Sequence, residues 1–186
     1  MSTLVRDPFI CELPRVFGYS RQEFLEKKDP TAWPQFERSE LTEEEFLQRC
    51  IPGEDPPRRE EVHRALLEGY RWIEGIEEIL SELNSKGVEM YALSNYPIWY
   101  ELIEEKLRCS RYFSWRFVSC RTGYRKPEQT CYVNACEKLE IRPSNVLFVD
   151  DRPSNLMPAG RLGLRTHQFV DAHRLRSALK VRGFLG

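Results

Sequence analysis

The sequence lacks any apolar run approaching the ~20 residues of a bilayer-spanning helix, because charged residues, 31% of the chain, interrupt each one. It also has almost no excess charge of either sign. The 28 Lys and Arg stand against 29 Asp and Glu, a formal charge of -1 at pH 7, so no broad basic surface for nucleic acid or an anionic membrane is expected. Histidine is scarce: His63, His167 and His173 are the whole complement, and none stands at a zinc-ligand spacing with a cysteine. The six cysteines include no CxxC. No apolar signal-like stretch precedes them, so they are expected as buried, reduced thiols of a cytosolic or organellar protein rather than as disulfides. There is neither an internal repeat nor a low-complexity tract.

What remains is a globular composition. Hydrophobic residues make up 41% of the 186 positions and aromatics 12%, enough for a sizeable core in one domain carrying a modest insertion. Up to Tyr70 the chain reads as short, proline-punctuated helices near Ser20 to Lys27, Pro30 to Glu37, Thr42 to Cys50 and Pro57 to Tyr70. Thr42 ahead of Glu43, Glu44 and Glu45 has the form of an N-cap with an acidic first turn. No strand is expected before residue 88.

From Glu74 onward the texture changes. Ile76, Ile79, Leu80 and Leu83 recur at helical spacing, Gly87 ends that helix, and Val88 to Leu93 follows as a short strand. Helices are expected over Pro97 to Leu107 and Pro127 to Leu139, and strands over Trp115 to Ser119 and Val146 to Val149. Leu164 to Phe169 and Ala172 to Val181 continue the alternation. Such alternation specifies an α/β fold with a parallel sheet, whose ligands sit at the carboxyl ends of the strands.

Three of those ends carry chemistry. Ser94 and Asn95 follow the first strand, with Tyr96 and Pro97 expected to open a helix whose free amides suit an anion; capping by the same two residues is the plainer alternative. Lys126 stands immediately before Pro127 after the second strand, within reach of a phosphoryl oxygen or else simply solvated. Asp150 and Asp151 end the Val146 to Val149 run, and adjacent carboxylates at a sheet mouth suit a hard cation such as Mg²⁺. A hydroxyl, an ammonium and an acidic pair together are the parts that hold a phosphoryl group beside a metal.

Leu93-Ser94-Asn95, Arg125-Lys126-Pro127 and Phe148-Val149-Asp150-Asp151-Arg152-Pro153-Ser154-Asn155 resemble motifs two, three and four of the haloacid dehalogenase-like hydrolases. Val5-Arg6-Asp7-Pro8-Phe9, Pro30-Thr31-Ala32-Trp33 and Asn95 to Tyr100 resemble more narrowly that family's plant and algal chloroplast branch of flavin mononucleotide hydrolases. The resemblance implies a Rossmann-like parallel sheet with a helical cap inserted over residues 10–72, the core being 1–9 and 73–186. It implies an aspartyl-phosphate mechanism on a small phosphorylated metabolite, with Mg²⁺ as cofactor and no nucleic acid or membrane partner. Ser94 would hold a phosphoryl oxygen, Lys126 would neutralise charge, Asp151 would bind the metal and Asp150 support it, and Asn155 would orient Lys126 or Asp151.

The first motif departs from the family. If Thr3 and Leu4 match its end, the attacking Asp falls ahead of Met1, and only the Met1 backbone carbonyl could serve the metal. The strand carrying that Asp, central in the family between the strands ending at Leu93 and Val149, is then truncated, and exposed inner edges cost about 1 to 3 kcal/mol per buried unpaired group. A longer chain, with a plastid transit peptide ahead of it, is one expectation; a catalytically inactive binding protein is the alternative. Asp7 lies beyond this motif and is not expected to be the nucleophile. A phosphorelay receiver would place its acidic pair after the first strand, the opposite order, and carbon-halogen hydrolysis needs no acidic pair for a metal. Tyr96, Trp99, Tyr100, Trp33 and Phe36 are expected to pack between cap and core, with flavin stacking as the alternative.

Overall fold

The computed structural model describes residues 2–186, the side chain of Ile10 excepted. Met1, expected to offer a carbonyl to the metal, lies outside the described residues. The chain starts with β1 (Val5–Arg6) and then runs through α1 (Leu13–Val16), α2 (Arg21–Lys27), α3 (Ala32–Glu37), α4 (Glu43–Cys50) and α5 (Arg59–Gly69) to β2 (Arg71–Trp72). Two of these helices are started by reciprocal capping boxes. Ser20 and Glu23 bond each other's backbone amides at α2, and Thr42 and Glu45 do so at α4.

β1 and β2 pair antiparallel, Val5 opposite Trp72 and Arg6 opposite Arg71. They correct the expectation of no strand before residue 88. Two-residue strands carry no periodicity that a sequence window could register; the pairing arises because the helical excursion returns to its point of departure, where Ile73 N–H also donates to Leu4 O at 3.0 Å.

The remainder alternates as the pattern requires: α6 (Ile76–Ser85), β3 (Tyr91–Ser94), α7 (Tyr100–Leu107), β4 (Ser114–Val118), α8 (Ser119–Thr122), α9 (Gln129–Lys138), β5 (Leu147–Asp150), α10 (Pro153–Arg161), β6 (Arg165–Gln168) and α11 (Ala172–Val181). α6 enters from Gly75 and is followed by Gly87, both in the left-handed region (φ 78° and 72°) that a side chain would resist. β3 pairs parallel with β4, Leu93 opposite Phe117 and Ser94 opposite Val118. β5 pairs parallel with β6, Val149 opposite His167 and Asp150 opposite Gln168.

The two parallel pairs are not bonded to each other, and among the described residues no strand lies between them. Between β3 and β5 runs a slot of about 460 Å³ lined by Tyr91, Leu93, Leu147 and Val149 along its length. This gap explains one departure from expectation. The Val146 to Val149 run reads as a strand buried on both faces, yet Leu147 and Val149 are only half-buried while Phe148 and Asp150 are buried, because no neighbouring strand covers them on the slot side.

The main apolar cluster joins the helical segment to β3 and β4 through Phe24, Phe36, Phe46, Leu66, Ile79, Trp99 and Val118. A smaller one, with Tyr132, Cys136, Phe148, Ala159 and Leu164, surrounds β5. The aromatic residues between the helical segment and β3 belong to packing: Phe36 stacks on Phe46 with centroids 4.6 Å apart, Trp99 meets both edge-on, and Trp33 lies 6.1 Å from Tyr96.

Candidate active site

Ser94, Lys126, Asp150 and Asp151 line the same slot, at the carboxyl ends of β3 and β5. Each arrives there by strand or loop geometry. In β3 and β5 alternate residues point to one face, which buries Ala92 with Ser94 and Phe148 with Asp150. Lys126 comes from the loop between α8 and α9, and only 8% of it is exposed.

Asp150 is the hub. Its Oδ2 accepts from Lys126 Nζ at 2.5 Å, and its Oδ1 accepts from Arg152 N–H at 2.9 Å and the Asn155 side-chain amide at 2.8 Å. Burial pushes the Asp150 carboxyl up, but the Lys126 charge and these hydrogen bonds outweigh it and hold the group below the usual carboxylate range. Asn155 therefore orients Asp150, where the sequence suggested Lys126 or Asp151. Tyr132 Oη anchors that turn by donating to Asn155 O at 2.7 Å.

Asn95 holds the backbone of Lys126 at both ends. Its Oδ1 accepts from Lys126 N–H and its Nδ2 donates to Lys126 O, each at 2.8 Å. With both polar ends committed, Asn95 fixes the lysine loop. The helix expected to open at Tyr96 and Pro97 starts later: α7 begins at Tyr100, Tyr96 N–H donates to Ser119 Oγ at 2.9 Å, and the Tyr100, Glu101 and Leu102 amides bond back to Pro97, Ile98 and Trp99 carbonyls. Pro127 likewise precedes its helix, which starts at Gln129.

Among the described residues no three His, Cys, Asp or Glu side chains cluster as a metal site. Asp150 is fully engaged. The Asp151 carboxylate, half-buried at the slot, makes no side-chain bond to a described residue. Mg²⁺ is often held by one or two carboxylates with waters and phosphate oxygens completing its shell, and Asp151 fits that part. Cys136, the cysteine that lines the slot, is no ready thiolate, because burial pushes its thiol up, and all six cysteines are free.

A model of the haloacid dehalogenase-like hydrolases matches residues 12–163. The chain belongs to that family. Flavin mononucleotide hydrolase 1 of Arabidopsis thaliana, a chloroplast protein by name, is 38% identical over 184 residues, covering 98% of this chain and 75% of that protein. Among solved structures, a HAD-like hydrolase from Porphyromonas gingivalis superposes with a TM-score of 0.71 at 22% identity, over 92% of this chain and 88% of that one. A HAD family enzyme from Bacteroides thetaiotaomicron, in complex with magnesium and inorganic phosphate, superposes with a TM-score of 0.67 at 20% identity, over 89% and 88%. These likenesses confirm an α/β fold of the Rossmann-like type.

Some residues packed around the slot were not legible in advance. Ser119, wholly buried, bridges Tyr96 N–H and Glu37 O. Its place at the end of β4 was the available signal, since strand ends carry the chemistry in this fold. Glu37, 4% exposed, accepts from Arg125 Nε at 2.6 Å and Trp33 Nε1 at 2.7 Å. An acidic side chain one helical turn from Trp33, on the apolar face of α3, was its only mark in the sequence.

Proposed function

We propose that the chain forms most of a Mg²⁺-dependent phosphomonoester hydrolase for a small phosphorylated metabolite, flavin mononucleotide being the favoured substrate. Residues 10–72 act in this reading as a cap over a core of 1–9 and 73–186. The observation that carries it is the convergence of Ser94, Lys126 and the Asp150-Asp151 pair on one slot.

Each residue then has a part. The Ser94 hydroxyl binds a phosphoryl oxygen. The Lys126 ammonium, steadied by Asp150 and by Asn95, neutralises charge that builds on the phosphoryl group during transfer, a term usually worth a few kcal/mol. Asp151 would hold Mg²⁺, which supplies further charge neutralisation when bound. The attacking carboxylate would come from residues ahead of Met1, in the aspartyl-phosphate mechanism that the family resemblance implies. Asp7 does not take that part: its carboxylate accepts from Phe9 N–H at 3.0 Å and Tyr96 Oη at 3.0 Å and does not line the slot. The relative from Arabidopsis, a flavin mononucleotide hydrolase and chloroplast protein by name, supports both the flavin mononucleotide reading and a plastid location for a longer chain.

Because Tyr96, Trp99 and Phe36 are at most 2% exposed, they contribute packing, and a flavin ring must be met by other side chains. The test is phosphate release from flavin mononucleotide and a panel of phosphate esters, with and without Mg²⁺, by this chain and by one extended with the first motif. Activity of the extended chain that requires Mg²⁺ and is lost in Lys126→Met is expected. No release from any ester would overturn the enzymatic reading and leave the second: a phosphate-ester binding protein, favoured by the commitment of the Asp150 carboxylate to Lys126, Arg152 and Asn155.

A further inference from the structure

Three consecutive residues at the end of α3 reach across to the loop that bears Lys126. The Glu37 carboxylate accepts from Arg125 Nε at 2.6 Å, and its carbonyl accepts from Ser119 Oγ at 2.6 Å. The Arg38 guanidinium bonds the Glu128 carboxylate. Ser39, whose φ of 59° puts it in the left-handed region, turns its hydroxyl onto Cys120 O at 2.9 Å. A non-glycine residue there is strained, and such strain persists only where surrounding contacts hold it. Segment 119–128 is thus gripped at its start by Ser119 and Cys120 and on both sides of Lys126-Pro127 by Arg125 and Glu128.

Of these ties, Glu37 to Arg125 is the one with a structural cost. Glu37 is buried, and burial pushes its carboxyl up, with Arg125 and Trp33 only partly offsetting that. A buried ion pair adds little net stability compared with apolar packing of the same volume, so stability gives no reason for a carboxylate at this place. Geometry gives one. Arg125 is the residue before Lys126, and Asn95 fixes the Lys126 backbone from the β3 side only.

We infer that Glu37 is a positioning residue of the site: through Arg125 it holds the 123–128 loop from the helical side, so that Lys126 presents its ammonium to a phosphoryl group in the slot. The helical segment thereby sets the cation of the core site as well as covering it. This rests on the phosphate reading of the slot given above, and the experiment separates the two.

Inorganic phosphate binding, in the presence of Mg²⁺, is measured by calorimetry for the parent chain and for Lys126→Met, Glu37→Gln, Arg125→Met, their Glu37→Gln/Arg125→Met double and Arg38→Ala. Hydrogen exchange at the Lys126 amide, which bonds Asn95 Oδ1, is followed in each. Phosphate affinity is expected to fall about tenfold in Glu37→Gln and equally in Arg125→Met, with no further loss in the double variant. The Lys126 amide exchanges faster in all three, while β6 amides do not. Arg38→Ala, which cuts a more exposed tie between the same elements, loses less affinity than Glu37→Gln. Should the parent bind no phosphate, or Lys126→Met bind it as the parent does, the phosphate reading falls and the inference with it. Where Lys126→Met loses phosphate but Glu37→Gln and Arg125→Met keep parent affinity and parent exchange at Lys126, the positioning role alone is overturned. If Glu37→Gln does not fold, Arg125→Met, which leaves the Trp33 and Ser119 bonds to Glu37 in place, decides the question by the same two readouts.

Discussion

At the scale of single residues, the pair that organises the site is Lys126 with Asp150. The two are 8% and 2% exposed, so neither charge is solvated well enough to stand alone. Lys126→Met leaves the Asp150 carboxylate with two neutral donors and no counter-charge. Urea unfolding is expected to show a loss of roughly 3 to 5 kcal/mol, and the double variant with Asp150→Asn less than the two single losses combined. A loss below about 1 kcal/mol would describe an exposed pair and contradict the burial on which the site's electrostatics depend. That Ser94, Asp150 and Asp151 come to one slot at strand ends was legible from the sequence, because strand ends can be located from apolar periodicity, and Lys126 joins them from the loop after α8. The roles of Asn95, Ser119 and Glu37 were not, since each depends on a partner distant in the chain, as the Asn95 bonds to Lys126 show; Asn155 was read toward Lys126 or Asp151, and its partner is Asp150, five residues back.

At the scale of elements, helices with strong local signals emerged within a few residues of expectation. α4 starts at Glu43 behind Thr42, and α11 spans Ala172–Val181 as read from the sequence. The helices expected from Pro97 and Pro127 start later, at Tyr100 and Gln129, and the first turn after Pro97 is spent on tight backward bonds, whereas α10 does start at its Pro153. β6 carries an unsolved polar atom. His167 Nε2 is buried without a hydrogen-bond partner among the described residues, and burial, then the Arg182 charge, pulls its pKa below the usual 6.5. The unfolded chain takes up this proton before the folded one does. His167 therefore leaves stability intact above about pH 6.5 and reduces it as the pH falls from there through the lowered folded-state value. Thermal unfolding from pH 7.5 to 5 should show that loss, and His167→Leu should flatten it while costing nothing at pH 7.5. A decline unchanged in His167→Leu would assign it to other groups.

At the scale of the molecule, the sheet is two parallel pairs facing each other across a slot of about 460 Å³. Backbone amides of β3 and β5 that do not bond β4 or β6 have no strand partner among the described residues. They should exchange with deuterium far sooner than the amides between β5 and β6, and a chain extended with the first motif should protect them. Equal protection of both sets in this chain would mean that the pairs close on each other in solution.

By itself the sequence determined the class of fold, the strand and helix alternation from residue 74 onward and which strand ends bear an alcohol and two carboxylates, because periodicity, caps and turn residues act over a few neighbours. Tertiary structure decided how those groups are held: which oxygen of Asp150 takes Lys126, that Asn95 clasps a backbone 31 residues on, that Glu37 reaches 88 residues to Arg125, and that two edges stand apart. Such pairings are set by where distant segments come to lie when apolar surface is buried. No local preference of the chain encodes them.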